Sequence, residues 1–295
     1  MRSSRYTPLF ILGFIVLVWG YLFVPGKLGV GSSSVFVWAG LRTFPAYLLL
    51  LGLLVLLRRP LRPQAPGLTA LVGILQVGGF VGFSSAALVT SGAGHTAMLA
   101  NTWQIWILVM AWLVLQERLR GMQWAAVGVG TVGLILIIEP WRLHGVVSSL
   151  LALAAALCFA GGAVAAKVLR RRHSVDVLSF TVWQGLLGSL PLVVLAVFIP
   201  GDGIRWSGTF IWSLAYSVLI GTALAQFLWL YVLDLIPASI AGIGNLATPI
   251  VSVLAAWIQL GEHLSGAEIA GMALVIVALS LLLMASRFRK ARQPG

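Results

Sequence analysis

Apolar residues follow one another in long unbroken runs along this chain, and polar residues gather in short stretches between the runs. The run LLLLGLLVLL shows no alternation of apolar and polar positions, whereas a strand of a membrane barrel would require it. About 17 to 25 apolar residues in a helix are enough to cross the hydrocarbon core of a bilayer. Runs of that length recur from end to end, so the pattern predicts an all-α polytopic membrane protein.

Breaks at Gly, Pro and charged residues divide the chain into ten apolar segments, each long enough for one membrane helix. The predicted cores of these helices are residues 9–26, 34–57, 68–90, 95–115, 122–138, 147–168, 177–199, 209–233, 238–260 and 267–286. The first segment has the length of a retained helix and lacks the cleavage site of a signal peptide.

Lys and Arg residues concentrate in alternate connections between the predicted helices. One side receives Arg2, Arg5, Arg58, Arg59, Arg62, Arg118, Arg120, Lys167, Arg170, Arg171, Arg172, Arg287, Arg289, Lys290 and Arg292. The other side receives only Lys27, Arg142 and Arg205. Because cytoplasmic connections carry the excess of positive charge, the pattern predicts ten helices with both termini in the cytoplasm.

Composition narrows the classes of protein that need to be considered. With 60% hydrophobic and 9% charged residues, the chain has too few charges to cover a water-soluble domain. Its net charge of +12 comes from residues that flank apolar runs, so we expect the lipid bilayer, and no nucleic acid, as its surroundings. Cys158 is the single cysteine, and neither a metal motif nor a cofactor motif is present. The protein is expected to be a monomer or a homodimer.

A segment near the middle of the chain returns near its end. LVLQERLRG, which starts at Leu113, aligns with IQLGEHLSG, which starts at Ile258, when the sequence is shifted by 145 positions. Glu117 then aligns with Glu262, although the chain has only seven acidic residues to place. This repeat predicts two halves, residues 1–144 and 145–295, with five helices each. An odd number of helices makes the second half enter the membrane from the opposite side, which is the plan of inverted-repeat transporters.

The motifs resemble those of the drug/metabolite transporter superfamily. Trp19-Gly20 in the first helix and the E-x-L-x-G motif at Glu117 and Glu262 are similar to those of its EamA-type ten-helix exporters, over nearly the whole chain. The aromatic-rich composition is most similar to the YddG branch, which exports aromatic and other neutral amino acids. The resemblance implies a bacterial inner-membrane transporter without enzymatic activity. One departure is Gln104, which aligns with Pro249 where members of the family commonly carry a second proline.

Polar and aromatic residues deep within helices are the candidates for a transport pathway, because polar groups in hydrocarbon are costly unless they face a partner or a watery cavity. Amides can hydrogen-bond both ends of a zwitterion, and aromatic rings can line a pocket for an apolar side chain. The same residues can instead hold helices together. The candidate substrate-binding residues are Trp19, Phe83, Asn101, Trp103, Phe159, Trp183, Gln226 and Asn245.

Two further polar residues can each be interpreted in more than one way. Arg42 lies about a third of the way along the second helix, where it can attract a substrate carboxylate, extend to the membrane surface or cap backbone carbonyls. His95 has no carboxylate near it in sequence, which favours an interfacial position over a proton relay. The acidic residues fall at helix ends or in connections, so no coupling carboxylate is expected at mid-membrane.

Export of amino acids by alternating access is therefore the leading functional hypothesis. A second hypothesis keeps the fold and changes the cargo to another small metabolite or a cationic drug, since aromatic rings also bind cations. An intramembrane enzyme is the third, but the sequence contains neither H-E-x-x-H nor G-x-S-x-G.

Overall fold

The computed structural model describes residues 7–63, 65–116, 121–138, 145–199, 201–236, 245, 247–263 and 265–291. In these residues the secondary structure is helical. Eight helices are long and apolar enough to cross a membrane, and two shorter apolar helices follow them. In chain order they are α1 Thr7–Val30, α2 Val35–Leu56, α3 Pro66–Thr90, α4 Ala93–Leu115, α5 Gly121–Ile138, α6 Val146–Arg172, α7 Val177–Phe198, α8 Gly208–Leu235, α9 Thr248–Leu260 and α10 Gly266–Ala291.

The first eight helices begin and end within a few residues of the predicted segments, and α10 covers the last segment. Of the ninth predicted segment, residues 238–244 and 246 lie outside the described residues, and α9 supplies the remainder. Glu117, the first of the two repeated glutamates, also lies outside the described residues.

Side-chain caps set the starts of three helices. Ser34 accepts a hydrogen bond from the Val37 amide at the start of α2, and Ser207 accepts one from the Phe210 amide at the start of α8. At the start of α7, the Asp176 carboxylate accepts from the Ser179 amide at 2.8 Å. The first amides of a helix have no partner within the helix, so these caps fix where each one starts.

Local polar interactions interrupt α4 near its middle, although no proline is there. The Asn101 side-chain amide donates to the Ala97 carbonyl at 2.8 Å, and the Thr102 hydroxyl donates to the Leu99 carbonyl at 2.6 Å. These side chains compete with backbone amides for carbonyl oxygens, so the helix stops after Ala100 and resumes at Trp103. Polar side chains thus break the fourth helix without a proline.

The helices α3 and α8 each contain a stretch of π-helix, residues Ile74–Gly79 and Tyr216–Leu224. A shift of 145 positions takes residues 74–79 to residues 219–224, which lie inside the second stretch. The wider turn places backbone and side chains out of the regular α-helical register, which is common at functional sites.

The helices α5 and α10 pack on each other at the side of the bundle. Gly133 and Gly271 form the point of closest approach, because a Cβ atom on Gly133 would lie 2.8 Å from the Gly271 carbonyl oxygen. Small residues allow membrane helices to approach so closely. The remaining helices enclose the interior of the bundle and supply the residues of the cavity described below.

The two ends of the bundle differ in charge. At one end, Arg59 beyond α2 lies 3.2 Å from the Asp176 carboxylate at the start of α7, close to the Arg-rich end of α6. We call this the basic end. At the other end, the connection between α3 and α4 packs against Lys27 of α1 and against Glu262, which follows α9. We call this the opposite end.

Candidate functional site

A cavity of about 730 Å³ lies inside the bundle and extends toward the basic end. Its walls come from α1 to α4, from α6 to α9 and from Asn245, so α5 and α10 take no part in it. Both π-helical stretches line it, through Gln76 and Val77 of α3 and through Gly221 and Thr222 of α8. The volume falls in the range of about 300 to 1,000 Å³ that is usual for small-molecule sites.

The structure brings six of the eight candidate residues together at this cavity. They are Trp19, Asn101, Trp103, Phe159, Gln226 and Asn245. Phe83 is not among the lining residues, and its side chain is 39% exposed on the surface of α3. Trp183 also lies outside the cavity, and its indole Nε1 donates to the Leu61 carbonyl oxygen at 2.8 Å.

Aromatic rings form two groups on the cavity wall. The Trp103 ring lies 4.7 Å from the Phe159 ring, which lies 5.2 Å from the Phe80 ring, measured between centroids. On the other side, the rings of Trp19 and Trp229 lie 5.3 Å apart. Each group is held by ring-to-ring packing, so the cavity presents preformed apolar surfaces to a ligand.

The two asparagines of the cavity lie at the break in α4 and just before the start of α9. Asn101 lies at the break in α4, where its amide nitrogen already has a partner in Ala97. Asn245 accepts a hydrogen bond from the Thr248 hydroxyl at 2.9 Å, just where α9 begins. Both asparagines are buried yet line the cavity, so they place polar groups in its wall without adding charge.

Every charged side chain among the described lining residues is cationic. Lys167, Arg170 and Arg171 lie near the end of α6, toward the basic end of the bundle. Arg42 is the fourth and lies deeper, with 8% of its surface exposed. Arg42 neither extends to the surface nor makes a hydrogen bond to a described residue, which removes two of the interpretations that its sequence position left open. Four cations make the cavity attractive to anionic groups.

The opposite end of the bundle is closed by two charged residues that cap neighbouring helices. Lys27 donates from its ammonium nitrogen to the Leu88 carbonyl at 2.7 Å and to the Ser91 carbonyl at 2.8 Å, at the end of α3. Glu262 accepts from the Ala93 amide at 2.7 Å and from the Gly94 amide at 3.0 Å, at the start of α4. A cation at a helix C-terminus and an anion at an N-terminus both complement the helix dipole.

His95 has a carboxylate partner that the sequence did not indicate, because 173 positions separate it from Glu268. The Nδ1 atom of His95 lies 2.7 Å from a Glu268 oxygen, and its Nε2 lies 3.0 Å from the Ser149 hydroxyl. This order of groups resembles a hydrolytic triad. Ser149 is 1% exposed, its hydroxyl also donates to the Gly145 carbonyl at 3.0 Å, and all three residues of the cluster line a cavity of about 380 Å³. The cluster joins α4, α6 and α10.

Several lining residues were not among the candidates. The polar ones include Gln76, Thr43, Tyr47, Thr181 and Thr222. Periodicity gives little help for them, because the helices carry apolar residues on all sides and the polar face of each is weakly marked. No group of three His, Cys, Asp or Glu side chains is placed to hold a metal ion in the described part of the chain.

Comparison with known proteins assigns the fold and cavity to a family. The sequence model of the EamA-like transporter family matches the chain twice, over residues 7–139 and 147–284. The chain belongs to the EamA-like transporter family. Membership of this family indicates that the bundle and its central cavity belong to a transporter and not to an enzyme.

Relatives in this family extend over nearly the full length of the chain. The chain is 28% identical over 305 residues to the "Probable amino-acid metabolite efflux pump" of Salmonella typhimurium, which covers 97% of the chain and 98% of that protein. It is 26% identical to the "Uncharacterized transporter YoaV" of Bacillus subtilis, over 88% of the chain and 91% of that protein. A solved crystal structure matches with a TM-score of 0.66 at 20% identity, over 96% of this chain and 99% of the other. That structural match supports the fold alone.

Proposed function

We propose that the protein is a secondary transporter that exports amino acids, aromatic and other neutral ones, across the bacterial inner membrane by alternating access. Its ten membrane helices form two inverted halves, residues 1–144 and 145–295, with both termini cytoplasmic. The observation that carries the proposal is the cavity between the halves, which combines aromatic surfaces, uncharged amides and cationic groups. The names of two relatives as amino-acid metabolite efflux pumps support the cargo class.

Paired features support the two-half plan. A shift of 145 positions takes the cavity-lining Gln76 to Gly221, and both lie in π-helical stretches. The same shift takes Gln116, with φ of 55°, to Gly261, with φ of 66°, and each ends its helix in the left-handed conformation. The first helix of one half starts at the basic end, whereas α6 starts near the opposite end, beside the His95 cluster.

The arrangement of the two ends supports an alternating mechanism. The cavity reaches the cationic side chains near the basic end, while the Lys27 and Glu262 caps hold the opposite end together. Under the positive-inside rule the basic end is cytoplasmic, so this conformation faces inward. Export then requires the caps at the opposite end to release while the basic end closes.

Counterflow into proteoliposomes tests the function directly. Vesicles preloaded with unlabelled Trp, Phe, Thr or Met are given the same labelled amino acid outside, with and without an imposed pH gradient. We expect labelled amino acid to accumulate in vesicles that contain the protein and not in empty vesicles. Accumulation without a gradient would also show that the exchange needs no imposed pH gradient.

Variants link the flux to the cavity. Trp103→Ala removes a ring that packs 4.7 Å from Phe159 in the cavity wall, so we expect exchange at low substrate concentration to fall about tenfold, the equivalent of 1.4 kcal/mol. Phe83→Ala is the matched control, because it removes an aromatic ring from the same half but outside the cavity. Equal flux in both folded variants would contradict a role of the cavity in transport. Counterflow of none of the four amino acids would contradict the cargo and direct the assay to other metabolites and cationic drugs.

A further inference from the structure

Two buried side-chain atoms of opposite hydrogen-bonding character lack a partner at the wall of the cavity. They are the Nε donor of Arg42 on α2 and the Oε1 acceptor of Gln184 on α7, and both residues line the cavity. Neither atom has a hydrogen-bond partner among the described residues. The other buried atoms without partners in the described part belong to residues that do not line the cavity. Among the described residues that line the cavity, the fully buried polar atoms without a partner are therefore one donor and one acceptor.

We propose that these two residues form the binding subsites for the main-chain groups of a zwitterionic α-amino acid, with Arg42 holding the carboxylate and Gln184 accepting from the ammonium group. This assignment rests on the proposed function and deepens it, because it names the atoms that recognise the cargo. It also identifies the cargo by its carboxylate and ammonium groups, whereas the apolar cavity walls contact its side chain.

The cost of a buried cation supports the role of Arg42. Arg42 has 8% of its surface exposed, and its Nε atom has no hydrogen-bond partner among the described residues. A buried charge without a partner is strongly unfavourable in a protein interior, and arginine cannot escape that cost by losing its proton. The planar guanidinium is also the side chain best suited to bidentate binding of a carboxylate. A carboxylate bound in the cavity would therefore pair with the buried charge and match the planar geometry of the guanidinium group.

The position of Gln184 supports the second subsite. Its helix α7 packs along α2, which carries Arg42, so the two residues lie on adjacent helices of one wall. Its carbonyl oxygen can accept from an ammonium group without introducing a charge. A neutral acceptor on the same wall as an arginine matches a zwitterion, whereas a carboxylate acceptor would pair with the arginine itself.

The charges of the cavity set which cargoes are disfavoured. Because the charged lining residues in the described part are Arg42, Lys167, Arg170 and Arg171, a molecule with net positive charge meets repulsion throughout the cavity. Cationic drugs and basic amino acids are thus poor ligands on this assignment. Neutral amino acids, in which the carboxylate and ammonium charges cancel, fit the two subsites.

Equilibrium binding with four small probes tests the assignment on the purified full-length protein in lipid nanodiscs. L-Phenylalanine carries both groups, 3-phenylpropionate carries only the carboxylate, L-phenylalaninamide carries the ammonium with a neutral amide, and 2-phenylethylamine carries only the ammonium. All four keep the same ring, so differences in Kd report the main-chain groups. We expect L-phenylalanine to bind at least about tenfold more tightly than L-phenylalaninamide, as expected for hydrogen bonds to charged groups.

Variants assign each effect to its residue. Arg42→Gln is expected to weaken the binding of L-phenylalanine and 3-phenylpropionate about tenfold and to leave the Kd of L-phenylalaninamide unchanged. Gln184→Leu is expected to weaken the binding of L-phenylalanine and L-phenylalaninamide and to leave the Kd of 3-phenylpropionate unchanged. Arg62→Gln, an exposed residue beyond α2, removes the same charge outside the cavity and is expected to bind all four probes as the unaltered protein does.

The outcomes separate the subsites from the function. Equal binding of L-phenylalanine and its amide by the unaltered protein would overturn the assignment even if neither variant folds. An effect of Arg42→Gln on all probes alike would overturn it as well, because that is the result of a purely structural role. If 3-phenylpropionate binds through Arg42 but L-phenylalanine does not bind, the zwitterion assignment fails together with amino-acid export. If all bind as expected yet counterflow fails, the subsites stand and the proposed transport function fails.

Discussion

Replacement of Glu262 by Gln tests the contact that closes the opposite end of the bundle. The half-buried carboxylate accepts hydrogen bonds from the Ala93 amide at 2.7 Å and from the Gly94 amide at 3.0 Å, and it thereby joins the end of α9 to the start of α4. Gln keeps nearly the same shape, but it loses the negative charge and offers one oxygen in place of two. The change therefore weakens the cap without opening a cavity.

The magnitude follows from these two contacts. A hydrogen bond to a charged group contributes about 1.5 to 3 kcal/mol, and an anion in the first turn of a helix contributes about 0.3 to 1 kcal/mol more. Because Gln retains one neutral acceptor and the site is partly exposed to solvent, about 2 kcal/mol of the total should be lost. For a chain of 295 residues, such a loss corresponds to a fall in melting temperature of roughly 3 °C.

Thermal unfolding of the purified protein, followed by tryptophan fluorescence, measures the effect. His263→Gln is the matched control, since His263 is the exposed neighbour of Glu262. Gly92→Ala reaches the same contact by another route, because a Cβ atom there would lie 2.6 Å from Glu262 Oε2 and would displace the carboxylate. Gly92 has φ of −67°, so alanine fits its backbone conformation.

A melting temperature of Glu262→Gln equal to that of His263→Gln would refute the reasoning. A second check is the Lys27→Met, Glu262→Gln double variant. Lys27 caps α3 and Glu262 caps α4, so their losses should add within about 0.5 kcal/mol if the two caps act independently. A large coupling would show that attraction between the two charges, and not helix capping, stabilises this end.

Three other substitutions have defined outcomes. Gly133→Leu should lower the melting temperature by several degrees, because its side chain meets the backbone of α10, whereas Gly128→Leu has nothing within 4 Å of its Cβ and should not. Asp176→Ala removes the cap of α7 and should cost about 1 kcal/mol in an unfolding assay, unlike Asp202→Ala in an exposed turn; equal losses would contradict the capping role. Trp183→Phe loses the hydrogen bond to a carbonyl outside the cavity and should leave the KM of counterflow unchanged, and a raised KM would place that residue in the pathway.

The helices were predictable from sequence because their lengths are set by the membrane, and apolar runs mark them directly. The faces of the helices were harder to predict. Trp183 and Gln184 are adjacent in sequence, and one position along a helix turns a side chain by about 100°. The glutamine consequently lines the cavity while the tryptophan packs outside it. The depth of a residue in the membrane follows from its position in the sequence. The direction in which its side chain points depends on neighbouring helices that the sequence does not identify.

Contacts between residues far apart in the sequence were also hard to predict. His95 has no carboxylate near it in sequence, which favoured an interfacial position, and the fold brings Glu268 of α10 to it. The break in α4 was likewise not predicted by a proline, because Asn101 and Thr102 interrupt the helix through their own hydrogen bonds. Of the candidates that the structure brings together, Asn101 and Trp103 lie at this break, whereas Phe159 lies within the continuous helix α6.

The cations of the cavity wall have a consequence for the influence of membrane voltage. Arg42 stays in α2 while the cargo moves, so the charge that crosses the bilayer is that of the cargo and of any ion moving with it. A zwitterion carries no net charge, and a potential across the membrane neither drives nor opposes its exit. A monoanion attracted by the same cations would gain about 2.3 kcal/mol per 100 mV of inside-negative potential on leaving the cell, or about 50-fold in its distribution. With the same binding site, neutral cargo would follow its own concentration gradient and acidic cargo would be expelled by the resting potential.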